Sequence, residues 1–305
     1  HLDPERTQPF LNASVQLASK GLRVLAVARG LTGAPTHSGG EPQHLHDYQF
    51  EAIGLIGLAD PLRSDVPEAI AVAQRAGVRV VMLTGDSPVT ARSIAAQAGL
   101  GWGDVATGPE LEAMPLPQLS ELVAKVSVFA RVMPQQKLQL VRALQAAGEV
   151  VAMTGDGVND AAALKAADIG VAMGKRGTAV ARESADLVLL NDSFGDLVAA
   201  LAMGRRIDSN LHRALAYTLA IHLPIAALSL IPLIIPGQSL ILLPVHIALL
   251  HLVIDPACTV VFEAIPAAPG LMGQPPRPPG APLLDPPTWK HATWQGLAMI
   301  AGVLA

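Results

Sequence analysis

The sequence predicts an α/β protein, a doubly wound parallel sheet followed by an α-helical transmembrane hairpin. Three observations point there. Short aliphatic runs alternate with amphipathic segments between Ile53 and Leu190, and two of those runs end in the same acidic turn, Thr-Gly-Asp. Beyond Leu190, two apolar stretches of about the twenty residues needed to cross a bilayer, the first uncharged and the second with one carboxylate, flank a Pro-Gly turn. Composition agrees, since 51% of the 305 residues are hydrophobic and only 15% are charged, too apolar a balance for solubility throughout. A net charge of −4 supplies no basic footprint for a nucleic-acid backbone, so no nucleic acid is expected as a partner. The single cysteine, Cys258, excludes an internal disulfide framework or a multi-cysteine zinc site and fits a reducing cytosol.

Residues 1–52 read as polar and loop-rich, with one strand-like run at Leu22 to Ala28 and a Gly, Pro, Thr and His-rich stretch to His46. They look like the edge of a domain. The chain starts at His1 and stops inside the apolar run GLAMIAGVLA, so both ends are expected to be cut.

Residues 53–193 carry the α/β pattern. Ile53 to Leu58, Val78 to Leu83, Val126 to Ala130, Val150 to Met153, Ile169 to Ala172 and Leu187 to Leu190 read as buried strands, each short, aliphatic and closed by a turn signal. Pro67 to Ala76, Pro88 to Ala98, Pro134 to Ala147 and Val158 to Ala166 read as helices, several opening on proline and closing on glycine. Strand alternating with helix implies a parallel sheet covered on both faces, with its ligand site beyond the carboxyl ends of the strands.

Two strands end at such a place. One runs into Thr84-Gly85-Asp86, the other into Thr154-Gly155-Asp156-Gly157-Val158-Asn159-Asp160. Glycines let the backbone approach a ligand closely, and carboxylates there can hold magnesium. A helix N-cap accounts equally well for the first turn taken alone. In the second, a cap explains at most one of Asp156, Asn159 and Asp160.

After residue 193, Phe194 to His212 reads as a stalk helix, assigned 194–213, that continues into the first apolar span, Ala214 to Ile235. Pro236-Gly237-Gln238-Ser239 turns the chain into the second span, Leu240 to Val261, completing a hairpin over 214–264. Arg205, Arg206 and Arg213 precede the first span, while Arg277 and Lys290 follow the second, which places the turn outside and both ends in the cytoplasm. Asp255 lies within the second span, where a carboxylate is costly unless it faces a cavity or a cation. Pro224, beside His222, and Pro244 and Pro256 in or near the second span free backbone carbonyls for ions, or simply kink the helices.

The stretches GLIGLADPLR, MLTGDSPVTARSIAAQAGL, VFARVMPQQKLQLVRALQ and VVAMTGDGVNDAAALKAADIGVAMGKRGTAVARESADLVLLNDSF together resemble the P-type ATPases, a branch of the haloacid-dehalogenase-like (HAD-like) hydrolases. Ala163 stands where that family's TGDGVNDAPAL signature has proline. The resemblance implies ATP and Mg2+ as cofactors, with 53–193 as a HAD-like phosphorylation domain and 1–52 as the end of a nucleotide-binding domain. It makes Asp156 and Asp160 magnesium ligands, with Asp160 and Asn159 also holding the metal site and phosphate region in shape. Thr84 and Gly85, ahead of Asp86, donate to phosphoryl oxygens, and Lys137 neutralises the transferring phosphoryl group. Asp60 and Arg63 form a hinge. Arg23 resembles a nucleotide-contacting arginine, although an exposed strand arginine fits as well.

The same resemblance makes the spans the fifth and sixth, followed by a cytoplasmic loop over 265–291 and the start of a seventh span over 292–305. HLVID aligns with an NLVTD-like segment of the calcium and sodium pump branches, with His251 in place of asparagine, and His222 falls where the fifth span has another. Asp255, His251 and His222 are therefore the expected ligands of a transported cation. The family's nucleophile lies in DKTGT, which does not occur in these residues. The expectation is a plasma-membrane cation pump whose phosphorylation domain is cytoplasmic, working with a missing N-terminal part of the same polypeptide, the isolated chain being inactive. A membrane-anchored HAD-type phosphatase and a non-catalytic nucleotide-binding product are the alternatives.

Overall fold

The computed structural model describes residues 4–31, 49–101, 103–112, 114–235, 237, 239 and 241–304. The chain divides into two compact units, 1–74 with 78–197 and 75–77 with 198–305.

The first unit opens with α1 (Pro4–Ser19), which leads into β1 (Arg23–Leu31). β1 pairs antiparallel with β2 (Gln49–Leu58), from Arg23 opposite Leu58 to Leu31 opposite Gln49, with an irregularity at Val27/Ala28. Two expectations change here. The amino-terminal stretch contains a helix that its polar sequence and Pro9 concealed. The apolar run Ile53 to Leu58 is a strand but not a buried one, since Ile53, Ile56 and Leu58 are exposed. An antiparallel ribbon needs no cover on both faces, so an apolar run does not by itself imply burial. The Gly, Pro and His-rich stretch from 32 to 48 lies outside the described residues.

The α/β part follows as α2 (Val66–Arg75), β3 (Met82–Leu83), α3 (Pro88–Gln97), β4 (Val105–Thr107), α4 (Gly108–Glu112), α5 (Leu116–Lys125), β5 (Val128–Ala130) and α6 (Pro134–Ala146). Next come β6 (Ala152–Gly155), a 3-10 turn at Val158–Asp160, α7 (Ala161–Ala166), β7 (Ile169–Met173), α8 (Ala179–Ser184) and β8 (Leu187–Leu189). All these strands pair in parallel, in two groups of three ordered β3-β5-β4 and β6-β7-β8. β4, α4, α5 and α8 are additions to the sequence reading. Three of the four are six residues or shorter, too short to show a period.

The core explains the arrangement. Leu111, Leu119, Val123, Phe129 and Leu140 pack around β5, while Val141, Met153, Leu164 and Ala172 pack around β6 and β7. Leu83 of β3 touches both clusters. It thereby keeps the carboxyl ends of β3 and β6, the two acidic turns, on one shared core.

The second unit contains α9 (Phe194–Ile234) from Val198 onward, one unbroken helix of 41 residues in all, and α10 (Pro244–Ala264). Both are long and apolar enough to cross a membrane, and α10 buries no residue at all. A helix apolar on every side and packed on almost none is suited to lipid. The two run antiparallel, as Tyr217 meets Phe262 with ring centroids 5.4 Å apart and Asn210 Nδ2 donates to the Ile265 carbonyl at 3.0 Å. The connection over 265–285 is held by Arg205, which donates to the carbonyls of Leu271 and Gln274 at 3.2 and 2.8 Å. It leads to α11 (Pro286–Leu304), whose Gly296 sits so close to α9 that a Cβ there would lie 2.8 Å from Leu223.

Candidate functional site

The first acidic turn leaves β3 and is fastened from the neighbouring β5–α6 loop. Arg131 N–H donates to the Asp86 carbonyl and Val132 N–H to that of Thr84, each at 3.0 Å, and Arg131 takes a left-handed φ of 54° to do so. Within the turn, Thr84 Oγ1 accepts from Asp86 N–H at 3.1 Å and donates to Asp86 Oδ2 at 3.2 Å. The cap of α3 is Ser87, which accepts from Thr90 N–H, with Pro88 opening the helix. Helix capping therefore does not account for Thr84, Gly85 and Asp86. Gly85 is exposed, leaving its N–H approachable.

The second turn is built around a buried carboxylate. Asp160 Oδ1 accepts from Lys137 Nζ at 2.6 Å, and Oδ2 accepts from Gly157 N–H at 3.1 Å. Its side chain is 8% exposed and that of Lys137 is 20% exposed, so the pair is largely removed from water. Gly155 makes room for it, because a Cβ there would fall 2.6 Å from Asp160 Cβ. Lys137 reaches this point because Pro134 opens α6 one turn earlier and Met133 N–H is closed by Gln136 Oε1 at 2.8 Å. Asp156 and Asn159 are exposed by contrast, and the Asp156 carbonyl accepts from Thr178 N–H at 2.9 Å.

Asp156 also lines a cavity of about 310 Å³ together with Val81, Met82, Arg63, Arg176 and Asp192. Asp192 is buried, at φ 57°, a left-handed conformation that Asp tolerates better than most residues. Its two oxygens accept from Lys175 N–H at 2.9 Å and Arg176 N–H at 3.0 Å, and its carbonyl accepts from Arg63 Nη1 at 2.5 Å. Burial pushes its carboxyl up, but the N–H groups of Lys175, Arg176 and Gly174 and the Arg63 charge outweigh this and hold it below the ordinary carboxylate range. Nearby, Ser193 Oγ donates to Asp65 at 2.8 Å and lowers that carboxyl as well. Asp192 was absent from the sequence reading. Its one visible signal is an aspartate in a turn between a strand and a helix.

Of the expected site residues, the first unit thus brings Lys137 against Asp160 and ties Thr84 to the loop that precedes Lys137. Arg63 reaches the Asp156 cavity. Arg23 and Asp60, at the start of β1 and two residues past the end of β2, are both exposed and belong to the ribbon. The remaining three gather in the second unit, where His222, His251 and Asp255 each offer a ligand atom within 4.8 Å of the others.

The residues available to a magnesium ion suit it. Asp156 and Asn159 are both exposed and offer oxygen donors of the kind a hard cation takes, whereas Asp160, the other expected magnesium ligand, has its two oxygens engaged by Lys137 and Gly157.

Comparison with known proteins bears on this arrangement. Residues 15–168, which include both acidic turns and Lys137, match the haloacid dehalogenase-like hydrolase family, and residues 239–305 match the C-terminal domain of cation transporting ATPases. The chain belongs to the P-type ATPase branch of the haloacid dehalogenase-like hydrolases. Among relatives of this P-type ATPase chain, a probable cation-transporting ATPase F of Mycobacterium bovis is 42% identical over 289 residues, covering 93% of this chain and 32% of the relative. A calcium-transporting ATPase 1 of Schizosaccharomyces pombe is 39% identical over 296 residues, covering 93% and 31%. A calcium-transporting ATPase type 2C member 1 of Bos taurus is 42% identical over 234 residues, covering 76% and 23%. The chain spans about a third of the length of the first of these relatives.

Proposed function

We propose that this chain carries the magnesium- and phosphate-handling part and an ion-binding hairpin of an ATP-driven cation pump working through an aspartyl-phosphate intermediate. The observation that carries the reading is the Lys137–Asp160 pair, seated beneath a turn whose next carboxylate, Asp156, is left open. A lysine held at 2.6 Å by a buried carboxylate keeps its position, which is what transfer of an anionic group requires.

In this reading Asp156, with Asn159, holds Mg2+, which when bound neutralises charge on the phosphoryl group. Asp160 acts on Lys137, fixing the ammonium that faces the same group. Thr84 turns its hydroxyl from Asp86 towards the phosphoryl oxygens, and Gly85 N–H joins it. Arg23 contacts nucleotide, and Asp60 and Arg63 flex as a hinge between a nucleotide-binding part at 1–52 and a phosphorylation part at 53–193. The nucleophile is the aspartate of a DKTGT segment elsewhere in the polypeptide. The helices within 194–264 form stalk and membrane hairpin, and Asp255 binds the cation in transit, with the phosphorylation part in the cytoplasm of a cell whose plasma membrane holds the pump.

The test uses this chain joined to a DKTGT-bearing segment. Asp156→Asn should slow phosphoenzyme formation from ATP by on the order of a thousandfold, the worth of several kcal/mol of charge neutralisation. A wild-type rate in a variant that still folds and inserts would reject the assignment.

A further inference from the structure

The helical hairpin brings together two imidazoles and a carboxylate from separate helices. His222 comes from α9, and His251 and Asp255 lie one turn apart on α10. The imidazole centroids are 5.0 Å apart with planes tilted by 49°. His251 Nδ1 lies 3.7 Å from Asp255 Oδ2, beyond hydrogen-bond range, so the two do not close a pair that would use up the carboxylate.

A second observation bears on the chemistry. His222 Nδ1 sits 2.8 Å from the Thr218 carbonyl oxygen. A carbonyl only accepts, so Nδ1 carries the hydrogen, and in the neutral ring Nε2 keeps its lone pair. Imidazoles that bind metals are oriented in this way, one nitrogen donating to a carbonyl while the other faces the ion.

We propose that the hairpin binds a divalent cation of zinc or cobalt type through His222, His251 and Asp255, in preference to calcium. This rests on the reading of Asp255 as the ligand of the transported ion and names the class of that ion. Calcium takes six to eight oxygens, whereas this cluster offers two nitrogens and one carboxylate. The prolines add little oxygen. Pro224 and Pro256, lacking N–H, leave only the carbonyls of Ala220 and Leu252 without their intrahelical donors, so even with both the oxygens fall short of the six to eight that calcium takes. Zinc–ligand bonds of roughly 2.0–2.2 Å put neighbouring ligand atoms about 3.4 Å apart in a tetrahedron. The cluster, spread over 4.8 Å, is thus more open than a closed site. Asp255, 65% exposed, has the freedom to close it by side-chain rotation. One carboxylate with two neutral imidazoles leaves a bound divalent ion with a single net charge, which lowers the cost of holding it among apolar residues.

The experiment uses the full 305-residue chain in detergent micelles, with Co2+ as the spectroscopic probe and Zn2+ and Ca2+ as competitors. Histidines elsewhere in the chain can also take the probe, so the quantity read is the difference between the chain and its His222→Asn, His251→Asn and Asp255→Asn variants, each checked for helical content by circular dichroism. The chain should show a visible four-coordinate Co2+ band that Zn2+ removes and a large excess of Ca2+ does not. Each variant should weaken that binding by at least about tenfold, the loss that even an outer partner of a metal ligand produces. Unchanged Co2+ binding in the histidine variants overturns the inference. Displacement of Co2+ by Ca2+, or Ca2+ binding that needs Asp255 but neither histidine, also overturns it while leaving Asp255 a cation ligand. If no cation depends on Asp255, the transport reading falls with it.

Discussion

Removing the Asp160 carboxylate is the sharpest perturbation of the second acidic turn. In Asp160→Ala the Lys137 ammonium loses a partner at 2.6 Å and Gly157 N–H loses its acceptor. Breaking a fully buried pair from one side costs about 3–5 kcal/mol. Lys137 retains 20% exposure, so water recovers part of its solvation and the lower end, about 3 kcal/mol, applies. That corresponds to about two powers of ten in the local opening equilibrium. Hydrogen exchange followed by mass spectrometry reads it directly, as faster exchange of amides between Ala152 and Ala166. Gly155→Ala is the control, since its Cβ would sit 2.6 Å from Asp160 Cβ and displace the carboxylate without deleting it. It should produce the same local loosening at about 1–3 kcal/mol. Lys137→Met combined with Asp160→Ala should cost less than the two changes added together, because the double variant leaves no unpaired charge. Unaltered exchange in Asp160→Ala would refute the argument that this pair organises the turn.

Three further outcomes follow from the same structure. Asp192 has its carboxyl lowered in the folded chain, so its contribution is present above the unfolded value near 3.8 and disappears as pH falls through the lower folded value. Asp192→Asn should therefore reduce stability most near neutral pH, with the gap to the parent chain narrowing below about pH 4 in a denaturation series. The 305-residue chain given ATP and Mg2+ should form no acid-stable, hydroxylamine-sensitive phosphoenzyme, because it contains no DKTGT sequence, and radiolabelling would reveal any exception. Arg205→Met should release the carbonyls of Leu271 and Gln274 and increase limited proteolysis in the segment 265–285, while α9 keeps its helicity.

The parts of the molecule that could be read from sequence are those in which one residue type has one physical use. Gly155, Asp156 and Asp160 after an aliphatic run announced a tight acidic turn at a strand end, and the structure adds the contrast between a buried Asp160 and an exposed Asp156. The hairpin was legible because two apolar stretches of bilayer length around Pro236-Gly237, with Asp255 their one acidic residue, leave little alternative. The strand ends were harder. β3 is two residues long where six were expected, since the aliphatic run at Val78 to Leu83 is mostly extended chain without ladder partners. α1 was missed because its sequence mixes polar residues with Pro9, so its helical period is weak. Asp192 could not be weighted from sequence at all. Its importance comes from three backbone amides and Arg63 converging on it from distant segments, and no local pattern reports such convergence.

The order of the parallel strands has a consequence of its own. Among the described residues β3 and β6 are each paired on one side only, and Leu83 holds the two groups on a common core. A strand edge with unsatisfied N–H and C=O groups accepts a further strand readily, and two such edges sharing a core offer more than either alone. The α/β unit is therefore suited to strand complementation in trans. A separately expressed peptide of alternating β-branched residues could insert beside Thr84 and Asp156, turning one chain into a reporter of whether two polypeptides meet. Left without such a guest, the same edges are where self-association in solution would begin.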